Sequence, residues 1–124
     1  MSHRKLIEQY LAAYTSFDVE GMLELLSDGV AFENYLDDQL TASASGKQAF
    51  RELAASSSDI FSEREQKIVS LRMDDSRAIA VVQFRGVFAK SFENGPQCGD
   101  VMELTGKSEF EFEDGRITRI IDRA

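Results

Sequence analysis

The stretch Phe110-Glu-Phe-Glu-Asp-Gly-Arg-Ile-Thr-Arg-Ile-Ile-Asp-Arg-Ala124 decides the fold. Two alternating segments flank Asp114-Gly115, a dipeptide that readily takes the positive φ of a tight turn. The chain therefore closes in a β-hairpin. Working upstream, the alternation continues. Arg77 to Ala89 and Asp100 to Phe112 read as strands of thirteen residues each, against a usual length of about five or six. Asn94-Gly95-Pro96 breaks the pattern between them. Gln66 to Met73 is a further strand, joined to Arg77 by the turn Asp74-Asp75-Ser76. Strands this long twist and coil strongly. Gly86 and Gly106, near their middles, predict bulges or bends.

Before Ser58 the apolar period lengthens to that of helices. Ser2 can cap a helix whose stripe is Leu6, Ile7, Tyr10, Leu11 and Tyr14. Asp18 can cap a second, short one carrying Val19, Met22, Leu23 and Leu26, ended by Ser27-Asp28-Gly29. Val30 to Asn34 reads as a strand with Val30, Phe32 and Asn34 on one face. Tyr35 to Ser45 reads as a polar loop containing Asp37 and Asp38. Ser45-Gly-Lys-Gln48 fits a capping box and opens a third helix with Ala49, Phe50, Leu53 and Ala54 in its stripe. Helices first and long antiparallel strands last predict one α+β domain over residues 1–124: three N-terminal helices packed against a cone-shaped, curved antiparallel sheet, or half-barrel.

The composition narrows the function classes. Asp and Glu number 22 against 14 Lys and Arg, for a net charge of −8. Nucleic acid needs clustered cations to displace phosphate counterions, and anionic membranes need them too. Neither partner is expected. No apolar run approaches the roughly twenty residues that span a bilayer, and Met1 to Gln9 has no signal-peptide core. A cytoplasmic protein is expected. One His and one Cys speak against a protein-only zinc site, and no metal or cofactor is expected.

Laid out in this order, the chain resembles the SnoaL-like branch of the nuclear transport factor 2-like superfamily. The carriers are Tyr10-Leu-Ala-Ala-Tyr-Thr-Ser-Phe-Asp-Val-Glu-Gly-Met22, Leu25-Leu-Ser-Asp-Gly-Val-Ala-Phe-Glu-Asn34, Gly46-Lys-Gln-Ala-Phe50 and Phe110-Glu-Phe-Glu-Asp-Gly-Arg-Ile117. The resemblance implies a cone of curved sheet with three helices, and often a dimer. Family members include isomerases, cyclases, dehydratases, epoxide hydrolases and non-catalytic binders, so function does not follow from fold. In ketosteroid isomerases a first-helix tyrosine donates to an oxyanion beside an aspartate base and a protonated aspartic acid. The resemblance places Tyr10 at the tyrosine, but Asn34 at the base and Ser108 at the second acid. An amide cannot take a proton, and that reaction is not expected. In limonene epoxide hydrolases the matching positions are Asn34, Arg85 and Asp122, with Val87 and Phe32 where an Asp and a Tyr are needed.

Asp122 is the one acid–base candidate, because a carboxyl inside an apolar cone has a raised pKa. Its direction depends on the last turn. A two-residue turn at Asp114-Gly115 pairs Phe110 and Phe112 with Arg119 and Ile117 and sends Asp122 outward. A loop of Glu113-Asp114-Gly115 with a bulge flips the parity, so that Thr118, Ile120 and Asp122 face inward. Tyr10 is an oxyanion donor or, more commonly for its type, a core tyrosine. Asn34 orients a ligand or water, or caps the following loop. Tyr14, Phe32, Phe50, Phe84, Phe88, Met102, Ser108 and Phe110 are the expected lining for a small, flat hydrophobic ligand. His3 should be exposed, and Cys98 is a loop thiol without a basic neighbour. Ile79, Val87 and Thr105 face outward by alternation and suggest a homodimer through the outer sheet. Two functions follow as alternatives. One is a small-molecule isomerase, cyclase or hydratase using Tyr10, Asn34 and Asp122. The other is a non-catalytic dimeric domain that binds a ligand or a partner.

Overall fold

The computed structural model describes residues 1–124. Helices α1 (His3–Thr15), α2 (Val19–Leu23) and α3 (Lys47–Ser58) pack against six strands: β1 (Leu26–Leu36), β2 (Gln39–Ser45), β3 (Phe61–Met73), β4 (Arg77–Phe88), β5 (Val101–Glu113) and β6 (Arg116–Arg123). The strands form one curved, unclosed sheet in the order β2-β1-β6-β5-β4-β3. This is the expected α+β cone with one correction to its topology. Four of the five neighbouring pairs are antiparallel, but β1 and β6 run parallel. Strand β6 thus enters the middle of the sheet, with β1 on one side and β5 on the other.

The helix starts follow local chemistry. Ser2 Oγ accepts the Lys5 N–H at 3.1 Å and Asp18 Oδ1 accepts the Gly21 N–H at 2.9 Å, each satisfying a donor the helix cannot. Leu6, Ile7, Tyr10 and Leu11 form the buried face of α1. The expected capping box at Ser45 does not form. Ser45 is still paired to Ala31 within β2. Gly46 takes the N-cap at φ 88° with no side-chain bond, and its N–H is bound instead by the Val30 carbonyl at 2.7 Å. Leu26 belongs to β1 rather than to α2 and is wholly buried.

The segment expected as a polar loop is a hairpin. Asp37 and Asp38 adopt φ of 51° and 64°, the left-handed pair that a two-residue turn needs, and β2 returns along β1. Its inward residues are only Ala42 and Ala44, so alternation was too faint to mark a strand. Strand β3 also begins earlier than expected, at Phe61. Gly86 and Gly106 make no bulge, since the β4–β5 register runs unbroken through both. They serve close approach instead. A Cβ on Gly86 would lie 2.7 Å from the Phe61 ring, and one on Gly106 2.5 Å from the Arg123 carbonyl oxygen.

The final hairpin combines features of both readings of its turn. Asp114 and Gly115 take φ of 52° and 75°, and Glu113 pairs with Arg116 and Phe112 with Ile117. The turn therefore has two residues. The next pair is Glu111 with Arg119, which leaves Thr118 unopposed as a bulge. That one residue reverses the parity. Ile117 and Ile120 both face the core at 0% exposure, Phe110 pairs with Ile120, and Ser108 pairs with Asp122. The expectation that a two-residue turn sends Asp122 outward is corrected by a bulge placed further along the strand.

The convex face carries cross-strand ion pairs: Arg85–Glu103 at 3.7 Å, Arg119–Glu33 at 3.2 Å and Arg123–Glu109 at 3.0 Å. Exposed pairs of this kind stabilise by about 1 kcal/mol at most. Ile79 and Val101 remain 42% and 50% exposed. No helix is long and apolar enough to cross a membrane.

Gly106→Ala should destabilise the fold by about 1–3 kcal/mol, because the added methyl meets backbone rather than a movable side chain. Gly29→Ala, where nothing lies within 4 Å of the added carbon, is the control. Urea unfolding of the two variants checks this, and equal stability would show that Arg123 can move away.

Candidate functional site

The inward-facing residues of β1, β6 and β5 lie side by side. Asn34 pairs with Asp122 and Asp122 with Ser108, so an amide, a carboxyl and a hydroxyl form one row across the sheet. Above this row lies a cavity of about 350 Å³. Tyr10 of α1 and Phe50 of α3 form part of the opposite wall, their ring centroids 6.5 Å apart.

Asp122 is the centre of the row. Ser108 Oγ donates to its Oδ1 at 2.6 Å. Ser108 is only 2% exposed, while Asp122 keeps some surface open, and that surface faces the cavity. Burial lifts its pKa from 3.8 to about 6, against the opposing pull of the Ser108 bond, which favours the ionised form. Apolar surroundings win because they solvate charge poorly.

Tyr10 is 5% exposed, and its ring stands edge-on to Phe110 at 6.2 Å. Its hydroxyl makes no hydrogen bond within the protein. Its pKa lies well above the ordinary 10, through burial first and then the negative charge of Asp122. The phenol is thus a neutral donor at any physiological pH. Asn34 Nδ2 donates to Thr41 Oγ1 at 2.8 Å, and Thr41 Oγ1 donates back to the Asn34 carbonyl at 3.2 Å. Strand β2 thus fixes the amide and leaves its Oδ1 without a protein partner.

The structure adds a residue the sequence did not mark. Arg64 is 5% exposed and forms part of the cavity wall. Its Nε donates to the Tyr14 carbonyl at 2.8 Å, and its Cζ lies 3.8 Å from the Tyr14 ring centroid and 4.3 Å from that of Phe17. Burial lowers its pKa, and burial raises that of Tyr14. Arg64 falls just before the segment read as the start of a strand, in Glu63-Arg-Glu-Gln66, where all four side chains are polar. Nothing in that pattern reveals which of them turns inward.

Of the other expected lining, Tyr14, Phe32, Phe84 and Met102 border the cavity. Phe88 and Phe110 do not. Phe110 is 1% exposed and lies beneath Tyr10, and Phe88 packs on Phe61 and Phe92 at 5.0 and 6.0 Å. Arg85 points outward to Glu103, away from Asp122, so the epoxide hydrolase set is not assembled. His3 is half-buried rather than exposed, its ring stacked on Phe112 at 4.1 Å. Cys98 is exposed, and its Sγ donates to the Ala89 carbonyl at 3.4 Å. No three His, Cys, Asp or Glu side chains gather as a metal would require.

The cone of curved sheet packed with three helices is the nuclear transport factor 2-like fold. The chain belongs to the SnoaL-like domain family, whose model matches residues 7–120. Among solved structures it is similar to a proposed polyketide cyclase from Xanthomonas campestris pv. campestris. The two are 23% identical with a TM-score of 0.77, over 98% of this chain and 88% of that one. A proposed polyketide cyclase from Silicibacter sp. TM1040 is 25% identical with a TM-score of 0.73, over 96% and 85%. A protein of ketosteroid isomerase-like fold from Catenulispora acidiphila, in complex with trimethylamine, is 11% identical with a TM-score of 0.80, over 98% and 85%. No curated protein matches the chain.

The position of Asp122 sets a pH dependence. It ionises near 3.8 when unfolded and near 6 when folded. Between those values the folded protein holds a proton that the unfolded chain has released. Stability contributed by this group therefore falls as pH rises from about 4 to about 6, then levels off. The full effect is on the order of 3 kcal/mol. Asp122→Asn should match the wild type near pH 4 and exceed it by roughly 1–3 kcal/mol at pH 7.5. Urea melts across this range check it; a difference independent of pH would mean that the carboxyl is solvated.

Proposed function

We propose that the cavity binds a small, flat, largely apolar molecule and moves a proton on it by general acid–base chemistry, as an isomerase, cyclase or hydratase does. The observation that carries this reading is a single carboxyl, held by Ser108 in an apolar cavity, with a pKa of about 6. A base titrating near neutrality combines a useful ionised fraction with a real affinity for the proton. Asp122 takes or returns the proton. Tyr10, neutral and without a protein partner, donates to oxygen on which charge develops. Asn34 Oδ1 orients substrate or water. The SnoaL-like family and the proposed polyketide cyclases among its structural relatives support a small-molecule ligand.

The second reading, a binder without chemistry, has one observation in its favour: the Asn34 amide is already engaged by Thr41. A generic carbon acid separates the two. 5-Nitrobenzisoxazole loses its ring C–H proton to a base, its N–O bond breaks, and a coloured nitrophenolate is released. The wild type should accelerate this elimination above buffer, with a rate that rises through an apparent pKa of about 6. Asp122→Asn should abolish the acceleration, and Tyr10→Phe should lower it about tenfold or more. A wild-type rate no greater than that of Asp122→Asn favours the binder.

A dimer through the convex sheet accompanies this reading, supported by the exposed Ile79 and Val101 between rows of paired charges. Light scattering at micromolar concentration should give about 28 kDa, twice the 13.9 kDa chain. A mass of one chain counts against it.

A further inference from the structure

We propose that Arg64 anchors an acidic group of the ligand, so that the molecule taken by this cavity is an organic acid: an apolar body with a carboxylate at one end. This rests on the reading of the cavity as a small-molecule site and names the ligand class.

Arg64 is a permanent cation, is 95% buried by its exposure of 5%, and pairs with no carboxylate. The ion pairs of the molecule all lie elsewhere. Its Nε donates to the Tyr14 carbonyl, while Nη1 is buried without a hydrogen-bond partner. A buried cation with unsatisfied donors is costly unless something completes it. The Tyr14 and Phe17 rings lie within 4.3 Å of Cζ. A carboxylate entering from the cavity would supply both the acceptor that Nη1 lacks and the negative charge that the guanidinium lacks.

The surroundings favour an anion from outside the protein. The side chains whose charge state Arg64 feels are Tyr14 and Tyr10, both neutral phenols. No ion pair joins Arg64 to Asp122, so the guanidinium is not neutralised by direct contact with the cavity's carboxyl. Phe17, which completes the clasp, sits at φ 59°, a conformation that strains a residue bearing a side chain. The α1–α2 corner thus accepts backbone strain while bringing a second ring to the guanidinium. A ligand spanning the cavity would place its carboxylate at Arg64 and its apolar body between Tyr10 and Phe50, over Asp122.

The test uses two probes of the same shape, 2-naphthoate and 2-naphthamide, titrated by calorimetry into the whole protein. The wild type should bind the naphthoate about tenfold tighter or more, as a charge-assisted hydrogen bond to a buried cation requires. Arg85→Met, which removes an exposed cation outside the cavity, should keep that preference. Arg64→Met should bind both equally, with Arg64→Gln used instead if the Met variant fails to fold. A merely structural Arg64 would move the melting temperature without moving the ratio. Equal binding of both probes by the wild type overturns the proposal and leaves the proposed function standing. Binding of neither overturns both. A preference that survives in the Arg64 variants assigns the carboxylate to another partner and overturns it as well.

Discussion

Strand β6 lies between β1 and β5, and its hydrogen bonds to both hold the two halves of the sheet together. On one side it runs parallel to a strand nearly ninety positions earlier, with Asn34 opposite Asp122. On the other it closes a two-residue hairpin with β5. A strand paired on both edges has no freedom to slip, so its side chains are fixed to one face or the other along its length. The single unopposed residue, Thr118, decides which face. It allows Ile117 and Ile120 to enter the core together, and it brings Asp122 inward two residues later. Without that bulge the strand would present Arg119 and Ile121 to the cavity, and the carboxyl would be in water.

The cavity then follows from the mismatch between a curved sheet and short helices. Apolar side chains from α1, α3 and the sheet exclude water from most of its wall, and this raises the electrostatic stakes for every polar group left inside. Ser108 meets part of the demand of Asp122 with a 2.6 Å bond, but burial still dominates. Tyr10 stays protonated, which keeps it a donor. Arg64 cannot shed its charge, and the Tyr14 and Phe17 rings lie against its guanidinium. One cavity therefore holds an acid that is readily neutralised and a cation that is not.

Compared with the ketosteroid isomerase pattern, the two expected carboxyl positions hold an amide and a hydroxyl, and the acid stands on the strand between them. Asn34 and Ser108 are its neighbours in register rather than its replacements. The chemistry open to the site changes accordingly. One carboxyl can take and return a proton, but no second acid shares an oxyanion with Tyr10. The resemblance in fold covers nearly the whole chain, while Asn34, Asp122 and Ser108 differ from the ketosteroid isomerase pattern.

The sequence determined what depends on local periodicity. The helical stripe of Leu6, Ile7, Tyr10 and Leu11, the caps at Ser2 and Asp18, the alternation of β4 and β5 and the Asp114-Gly115 turn are each set within a few residues, and each is legible without coordinates. Phe110 and Phe88 were legible as inward but not as covered, because whether an inward ring meets a ligand depends on what packs above it. Strand β2, built from small and polar residues, has too little contrast to read. What only the tertiary structure decided is pairing and parity. That β1 runs beside β6, that Thr118 is the unopposed residue, and that Arg64 turns inward are facts about neighbours distant in sequence. They are set by the assembly of the sheet, since each strand's register is chosen by the strands on either side of it and not by its own residues.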